Sequence, residues 1–442
     1  MNAIKIPNLI IGGGIAGITV AVELLYRRND FYLLESSPRL GGKVESLSTD
    51  KAHFEFGPNA LAAVSPEMTQ LLERLNLTDS LVEANPVARH RYILKRGRPV
   101  QLPSKPPQIL TTKALSLRGR LRFVSEIVYA PRKKKGEESV WDFFARHFGE
   151  ETARYIADPF VSGIFAGDAR QISVTAAFPT MAQAEARSPS LIRYLLSQRK
   201  MMKTDPRLYQ LKGGLESIFR SAREKVGGER IHLNEGVVTL AVDGKKMRVV
   251  TDRAEYEADR VYLTSPAYVA SSILEKDFPQ ISAELKKVDY APVITAHLRV
   301  HREEPFPFQG FGLLIPSEEQ RQILGTLWNS SSFPFQFHDD RHHYLTVYAG
   351  GAKNRKLIDL DDAVIHDLIA GEVENIFGLR RGVEFLHLRR HAQAIPQYIL
   401  GYGGILGRIQ ELLSTVPGLK LGGNYLGGIS LSKTVTHAAG LL

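Results

Sequence analysis

Three glycines near the N-terminus and one acid beyond them form the pattern with the clearest chemical meaning. Gly12, Gly14 and Gly17 match G-x-G-x-x-G, and Glu35 follows about 20 residues on, as in dinucleotide-binding β-α-β units. The first glycine permits a tight turn, the second lets a pyrophosphate approach the backbone, and the third lets helix and strand pack closely. The helix N-terminus adds amide donors, and Glu35 can accept both ribose hydroxyls of an adenosine. We therefore predict a dinucleotide site, against the alternative of a glycine-rich turn beside a surface glutamate.

The surrounding sequence supplies the secondary structure that such a site needs. Residues 8–11 predict a short buried strand, 18–28 a helix, and 31–34 a second strand that ends at the acid. Two distant stretches also combine strands, a glycine-rich turn and a helix. Residues 211–251 predict a glycine-rich turn, a helix and three strands, and 421–441 predict a strand, a second glycine-rich turn and a closing helix. We therefore predict an α/β fold whose Rossmann-like domain is assembled from separated segments.

These segments divide the chain into five stretches. The Rossmann-like domain takes residues 1–88, 207–290 and 414–442, and the two intervals between them, 89–206 and 291–413, are α+β insertions. The first insertion has mostly helical patterns, whereas the second mixes strand patterns with one helix. We expect the insertions to pack against the dinucleotide domain as two further parts of the molecule.

Positive charge is concentrated in the first insertion. The 442 residues carry a net charge of +10, and the stretch from Arg96 to Lys135 alone holds eleven Lys and Arg against one acid, Glu126. A local basic surface of this kind predicts an anionic partner, such as lipid headgroups or an acidic substrate. The run 132–135 lacks interleaved aromatic residues and any RNA-binding motif, so we expect no nucleic acid.

Composition and spacing exclude several other classes. The chain has no cysteine, which excludes disulfides, thiolate metal ligands and a flavin attached through a cysteine thioether. The apolar stretch 8–25 contains four glycines and Glu23, so we expect neither a membrane span nor a signal peptide. The histidines at 338–343 fall in a predicted polar turn, and His387 and His391 fall on a predicted strand. We therefore expect no metal site.

The segment after Glu35 indicates which dinucleotide is bound. Arg39-Leu-Gly41-Gly42-Lys43 resembles the R-x-G-G-[RK] segment of the flavin-dependent amine oxidase and phytoene desaturase superfamily, where the glycine pair lies along the pyrophosphate and flavin of FAD. This resemblance implies FAD. It also implies that the turn at 57–60 borders the isoalloxazine ring, that a strand backbone covers the adenine, and that the closing helix directs amides at the cofactor. The FAD-binding residues implied are Gly12, Gly13, Gly14, Ile15, Ala16, Gly17, Glu35, Ser36, Gly42, Lys43, Gly57, Pro58, Asn59, Ala60, Val238, Asn424, Ile429, Ser430 and Leu431.

Five further segments, taken in order, are similar to the protoporphyrinogen oxidase family, the FAD enzymes of haem synthesis. They are residues 158–179, 309–316, 324–334, 395–398 and 423–424. The resemblance implies a six-electron oxidation of protoporphyrinogen IX to protoporphyrin IX, with molecular oxygen reoxidising the flavin. It further implies an antiparallel-sheet substrate domain, a helical membrane-associated lobe and often a homodimer. In a bacterium the expected location is the cytoplasmic face of the inner membrane.

The same resemblance assigns substrate contacts. The flavin carries the chemistry in such enzymes, so we expect no catalytic side chain. Some family members carry arginine in the G-P-x turn, where this chain has Asn59. The resemblance places the apolar side chains of Phe311 and Leu313 on a pyrrole ring. It places the small residues Gly163, Ala166 and Gly167 on the opposite wall, where a side chain would collide with the macrocycle. It places Arg91 on a propionate, with Arg89 as the alternative.

Other functions remain open at this stage. Oxidation of coproporphyrinogen III to coproporphyrin III is the nearest, and its two extra propionates would favour extra cations around the pocket. A carotenoid or amine oxidase is a second enzymatic class, which the two insertions fit poorly. A third possibility is a non-catalytic module of the same fold that binds lipidated partners.

Overall fold

The computed structural model describes residues 3–198, 207–304 and 309–442, so the end of the first predicted insertion, 199–206, lies outside the described residues. Its strands are β1 Ile4–Ile11, β2 Phe31–Glu35, β3 Ser46–Ser48, β4 His53–Glu55, β5 Leu61–Ala62, β6 Leu81–Glu83, β7 Arg91–Lys95, β8 Arg98–Gln101, β9 Leu208–Leu211, β10 Ile231–Leu233, β11 Val237–Asp243, β12 Lys246–Thr251, β13 Glu255–Leu263, β14 Tyr290–His301, β15 Gly312–Leu314, β16 Ile323–Trp328, β17 His342–Gly350, β18 Glu384–Pro396 and β19 Leu419–Leu421. Its helices are α1 Ile15–Tyr26, α2 Pro66–Arg74, α3 Leu117–Ser125, α4 Val140–Phe148, α5 Glu150–Thr152, α6 Asp158–Phe165, α7 Val174–Ala177, α8 Pro179–Arg187, α9 Leu191–Gln198, α10 Ser217–Val226, α11 Ala267–Leu274, α12 Pro279–Lys286, α13 Asn329–Ser332, α14 Asp362–Phe377, α15 Tyr402–Ser414, α16 Asn424–Gly427 and α17 Leu431–Ala439.

A mixed sheet with a parallel centre lies beneath the glycine motif. Its strand order is β10-β2-β1-β13-β12-β11, and β19 also pairs with β13. Strands β10, β2, β1, β13 and β19 run parallel, so their carboxyl ends meet at one edge, which is where ligands bind in such sheets. The strands come from residues 4–35, 231–263 and 419–421, three stretches far apart in the sequence.

A second sheet carries the other half of the molecule. Its order is β18-β14-β17-β16-β15-β7-β8, antiparallel throughout except for the parallel pair of β7 with β15. One face of this sheet packs on α14, whose buried residues include Ile365, Ile369 and Val373. The hairpin β7–β8 falls inside the stretch predicted to be a helical lobe, so that prediction is wrong for residues 91–101. Their partner strand lies over 200 residues away, a pairing that local patterns do not indicate.

Helices α3 to α9 form most of the first insertion. The one acid of its basic stretch, Glu126, is fully buried. The carboxylate is hydrogen-bonded to His147 Nδ1 (3.0 Å) and accepts from Ser190 Oγ (2.8 Å) and the backbone N–H of Leu191 (2.7 Å). Glu126 therefore joins the end of α3 to α4 and to the start of α9. Because it lies in the interior, it does not neutralise the basic surface around it.

The second sheet meets the hairpin β3–β4 at a cluster of rings. His297 on β14 is 1 % exposed, and its ring centre lies 4.9 Å from that of Phe54 and 5.1 Å from that of Phe56. Nδ1 of His297 is 3.1 Å from the hydroxyl of Thr346, its cross-strand partner on β17. Burial lowers the pKa of His297 to about 3, so the imidazole is neutral in the folded protein at ordinary pH.

Acid should destabilise the protein through this histidine. Between the folded pKa of about 3 and the ordinary value of 6.5, the unfolded chain binds a proton that the folded chain does not. The contribution of neutral His297 to the free energy of unfolding is therefore fully present above the ordinary pKa of 6.5. It is lost as the pH falls toward the folded pKa of about 3. We expect His297→Phe to remove this contribution, so the free energy of unfolding should depend less on pH by about 1.4 kcal/mol per pH unit between about pH 6 and 4. Urea unfolding over a pH series measures the two slopes, and equal slopes would contradict the assignment.

Candidate functional site

The glycine motif forms a tight turn between β1 and α1. Gly12 has a φ of +106°, which favours glycine, and a Cβ built on Gly17 would lie 1.9 Å from the Gly12 carbonyl oxygen. Gly14 is the N-cap of α1, and a Cβ built on it would meet no atom within 4 Å. Ile15 and Ala16 provide the first turn of the helix, whose amides point toward this open space. The turn can therefore accept an anionic group against backbone N–H donors.

The adenosine end of the predicted site has a fixed acid and an irregular strand. One carboxylate oxygen of Glu35 accepts from Gly13 N–H (2.6 Å) and the other from Ser37 N–H (2.8 Å), which holds the group at the tip of β2. Ser36 is exposed beside it. On β11 the register shifts between Val237 and Thr239, so Val238 has no partner residue on β12, and its side chain is exposed. This bulge leaves a backbone surface of the kind that the resemblance assigns to adenine.

Backbone segments at Gly42 and at residues 57–60 extend from the glycine motif toward the second sheet, and they are called the glycine row below. A Cβ on Gly42 would lie 3.7 Å from Gly14 Cα, and a Cβ on Gly57 would lie 2.0 Å from the carbonyl oxygen of Lys43. Pro58, Asn59 and Ala60 continue the row and are half-buried. The structure thus brings the predicted pyrophosphate and isoalloxazine segments into one continuous line.

Lys43 directs its side chain away from this line. Nζ donates to the carbonyl oxygen of Ala394 on β18 (2.8 Å) and lies 4.9 Å from the centre of the Tyr290 ring. Burial lowers the pKa of Lys43 to about 8. The structure therefore places the backbone of Lys43, and not its ammonium group, in the predicted row.

The closing segment lies against the same turn. Gly423 has a φ of +149°, and the carbonyl of Asn424 accepts from the Tyr398 hydroxyl. Ser430 caps α17 by accepting from Lys433 N–H (3.3 Å), and α17 packs against α1. Ile429 and Leu431 are half-buried beside it. The N-termini of α1 and α17 are thus neighbours.

Two buried hydroxyls at this place were missed by the sequence analysis. The Ser265 and Ser432 Oγ atoms are buried and have no hydrogen-bond partner among the described residues. Ser265 N–H lies 3.2 Å from a Cβ built on Gly12, and Ser432 stands in the first turn of α17. The signal for Ser265 is its position just after β13, at the carboxyl edge of the sheet. The open glycine turn, the carboxylate of Glu35 and these two hydroxyl donors together fit the polar groups of FAD.

The apolar wall differs from the predicted one. Leu313 is fully buried and packs in the core beneath α14, so its assignment to the substrate is wrong. Strand alternation puts Leu314 on the opposite face, toward α6. On that side of the sheet Leu324 and Tyr348 are only partly buried and pack near Ala166. This face, made of Leu314, Leu324 and Tyr348, is called the cavity face below, because we expect the substrate to bind against it.

The small residues of the opposite wall are explained by packing within the chain. A Cβ on Gly163 would lie 2.6 Å from Leu314 Cδ2, and a Cβ on Gly167 would lie 2.7 Å from Gln397 Oε1. A side chain there would collide with Leu314 and Gln397, so packing within the chain accounts for both glycines, and their contact with the macrocycle stays a prediction. Ala166 ends α6 with a φ of +47°, a strained value for alanine, and its carbonyl accepts from Ala352 N–H (2.7 Å).

The predicted carboxylate clamp lies at the start of β7, between β15 and β8 of the second sheet. Arg91 begins β7 and is exposed, and its guanidinium lies 5.7 Å from the centre of the Phe311 ring. Phe311 is half-buried and joins β15 to its neighbours through its backbone. Arg89 is also exposed. The pair Arg91–Phe311 thus places a cation on an aromatic ring at the rim.

The described residues contain no group of three or more His, Asp and Glu arranged to hold a metal ion. The histidine-rich turn at 338–343 instead forms internal hydrogen bonds, with His342 Nδ1 2.7 Å from Asp339. No described helix is both long enough and apolar enough to cross a bilayer.

Comparison with known proteins identifies the class. The family model for flavin containing amine oxidoreductase matches residues 15–431, so the chain belongs to that family. It is a flavin-dependent oxidoreductase, and FAD is its cofactor.

Individual relatives show which members of the family the chain resembles. The chain is 28% identical to mitochondrial protoporphyrinogen oxidase of Nicotiana tabacum, over 97% of this chain and 92% of the relative. It is 25% identical to coproporphyrinogen III oxidase of Bacillus subtilis, over 96% of this chain and 94% of the relative. Among solved structures, "Putative protoporphyrinogen oxidase from Exiguobacterium sp. 255-15" superimposes with a TM-score of 0.83 at 22% identity, covering 100% of this chain and 98% of that one. The last comparison bears on the fold alone.

Gly14→Val tests the cofactor site without disturbing the fold. The protein leaves open space at this position, and the backbone there has a φ of −74°, which valine can adopt. The branched side chain would occupy the space of the pyrophosphate. We expect a folded protein that purifies without stoichiometric FAD, measured from the visible absorption after gel filtration, with the thermal stability of the parent stripped of FAD.

Gly407→Val is the matched control, because Gly407 on α15 also has open space around it. This control should keep its yellow colour. Full FAD content in Gly14→Val would remove the glycine turn from the site.

Proposed function

We propose that the chain oxidises protoporphyrinogen IX to protoporphyrin IX in haem biosynthesis. The names of the relatives support this substrate class. The structural observation that carries it is the cavity face, where Tyr348 accepts a hydrogen bond from Asn59 and packs with Leu324 near Ala166. A reduced macrocycle is apolar apart from its two propionates, so it needs an apolar slot beside the flavin and a cation at the rim.

The protein contributes binding, orientation and exclusion of water. FAD, when bound, removes two electrons at a time from the substrate, and three such rounds with oxygen as acceptor give the porphyrin and hydrogen peroxide. Leu314 and Leu324 provide apolar contact for the macrocycle. Arg91 lies at the rim, where it can pair with a propionate while the opposite edge of the ring enters the cavity.

Coproporphyrinogen III is the second candidate, because one of the relatives bears that name. A fluorescence assay of porphyrin formation from both porphyrinogens, with oxygen present, tests the proposal directly. Faster oxidation of protoporphyrinogen supports it, and faster oxidation of coproporphyrinogen favours the second candidate. Oxidation of neither substrate by the FAD-loaded protein would favour a non-catalytic binding module.

Arg91→Ala should weaken substrate binding modestly. The side chain is exposed, and an exposed ion pair contributes about 0.2–1 kcal/mol, so KM should rise by about 1.4- to 5-fold. We expect kcat and FAD content to stay at the parent values. Arg89→Ala is the comparison, since Arg89 is the alternative clamp two residues away. A larger rise in KM for Arg89→Ala would transfer the role to that residue.

Attachment to a membrane surface is a further part of the proposal, at the cytoplasmic face of the inner membrane if the source is bacterial. Leu117 and Leu121, one turn apart on α3, are 65% and 63% exposed. They stand within the basic stretch, whose acid Glu126 is buried. Apolar side chains flanked by cations suit the headgroup boundary of an anionic bilayer. A homodimer remains an expectation from the resemblance, which light scattering can test.

We expect cosedimentation with anionic liposomes that salt reverses only in part. Each basic residue near such a surface contributes about 1 kcal/mol, which salt screens, whereas apolar insertion persists. Leu117→Ser with Leu121→Ser should remove the salt-resistant part, and serines at 132–135 should reduce the salt-sensitive part. Leu360→Ser with Val364→Ser, exposed on another surface, is the control. A parent protein that stays in the supernatant at low salt would exclude this surface.

A further inference from the structure

A chain of uncharged hydrogen bonds runs from the buried histidine to the cavity face. His297 Nδ1 contacts the Thr346 hydroxyl (3.1 Å), which donates to Asn329 Oδ1 (2.8 Å). Asn329 Nδ2 donates to Asn59 Oδ1 (2.9 Å), and Asn59 Nδ2 donates to the Tyr348 hydroxyl. The five groups come from four separate elements: β14, β17, α13 and the turn after β4.

The hydrogen bonds of this chain all point the same way. The second amide hydrogen of Asn59 faces the Gly57 carbonyl (3.4 Å), where an amide oxygen would be repelled, and this fixes which end of the amide faces Tyr348. Asn329 must then offer its NH₂ to Asn59 and its oxygen to Thr346. Since the single hydroxyl hydrogen of Thr346 goes to Asn329, its oxygen accepts from His297 Nδ1–H.

His297 completes this direction, because its Nδ1 must carry a hydrogen for the Thr346 oxygen to accept. Burial holds the ring uncharged, so this hydrogen defines the Nδ1–H tautomer. The backbone carbonyl of Asn59 is separately held by Gln210 Nε2 (2.7 Å). Asn59 therefore has both amide hydrogens and its backbone oxygen engaged within the protein. The first group of the chain with a hydrogen left to donate is Tyr348.

We propose that Asn329 and Thr346 are positioning residues that act through Asn59, so that the Tyr348 hydroxyl directs its hydrogen into the cavity. In the described residues Tyr348 accepts from Asn59 and donates to no other group. Its hydrogen can therefore reach an acceptor on a bound molecule, either the flavin ring or the substrate. The inference rests on the proposed function only for the choice of substrate. The flavin measurement does not depend on that choice.

Thr346→Val and Tyr348→Phe, alone and together, test the coupling. Thr346→Val keeps the shape but releases Asn329, and Tyr348→Phe removes the hydrogen itself. Each should lower kcat/KM by about tenfold, the factor expected for one hydrogen bond of ordinary net strength. The double variant should also lose about tenfold rather than about a hundredfold, because both changes remove the same contact. Thr346→Ser retains the hydroxyl and should restore the parent value.

Thr326→Val is the matched control. Thr326 is a buried threonine on the neighbouring strand, and its hydroxyl accepts from Trp328 Nε1 (3.0 Å) outside the chain. This control should lose a similar amount of thermal stability but keep its kinetics and its flavin spectrum.

The visible spectrum of bound FAD and the affinity for the product porphyrin identify the acceptor. The same spectral change in Thr346→Val and Tyr348→Phe assigns the hydrogen to the flavin, and an unchanged spectrum with equal loss of porphyrin affinity assigns it to the substrate. Either result supports the proposal. Multiplicative losses in the double variant, or a Thr346→Val protein that behaves as Thr326→Val does, would overturn it. A parent that oxidises neither porphyrinogen refutes the proposed function, while the spectra still decide the positioning role.

Discussion

One buried carboxylate fixes the position of the turn on which the site depends. Glu55 ends β4 and is 3 % exposed, and its oxygens accept from Ser46 Oγ (2.7 Å), Leu215 N–H (2.9 Å) and Gln210 Nε2 (3.3 Å). A charge at such a depth is tolerated only when it is hydrogen-bonded on all sides, so these partners have to come together as the chain folds. They belong to two stretches far apart in sequence. Glu55 thereby sets the turn after β4 relative to β3 on one side and to the segment from β9 to α10 on the other.

The sequence predicted the parts of the fold whose cause is local. The glycine motif, the acid at the end of β2 and the closing helix each depend on a short pattern, and all occur where expected. The hairpin β7–β8 could not be predicted, because its place in the second sheet depends on pairing with β15, far along the chain. The predicted substrate contact of Leu313 was wrong for a related reason. Strand β15 has three residues, too few for alternation to show which side chain faces the core and which faces the cavity.

The site combines charge at the rim with neutrality in the interior. The turn that carries arginine in some relatives carries Asn59 here, and its amide is engaged by Asn329 and Tyr348. A cation in that turn would meet the uncharged groups that now hold Asn59 and would need a partner of opposite charge. An amide needs only hydrogen-bond partners, which β17 and α13 provide. The departure from arginine is therefore accompanied by surrounding residues that suit a neutral group.

The basic lobe shows the complementary arrangement, with three of its acids inside. Arg146 pairs with Glu138 and Glu185, while His147 lies between Glu126 and Glu185. These three acids are thus used to join α3, α4, α8 and α9, whereas on the surface Asp142 lies 3.9 Å from one cation of the basic stretch, Lys134. The same ionic contacts that hold these helices together also leave Leu117 and Leu121 in a cationic surround. Loss of the buried pairs would therefore alter both the packing of the lobe and the charge that it presents, so the two properties should change together.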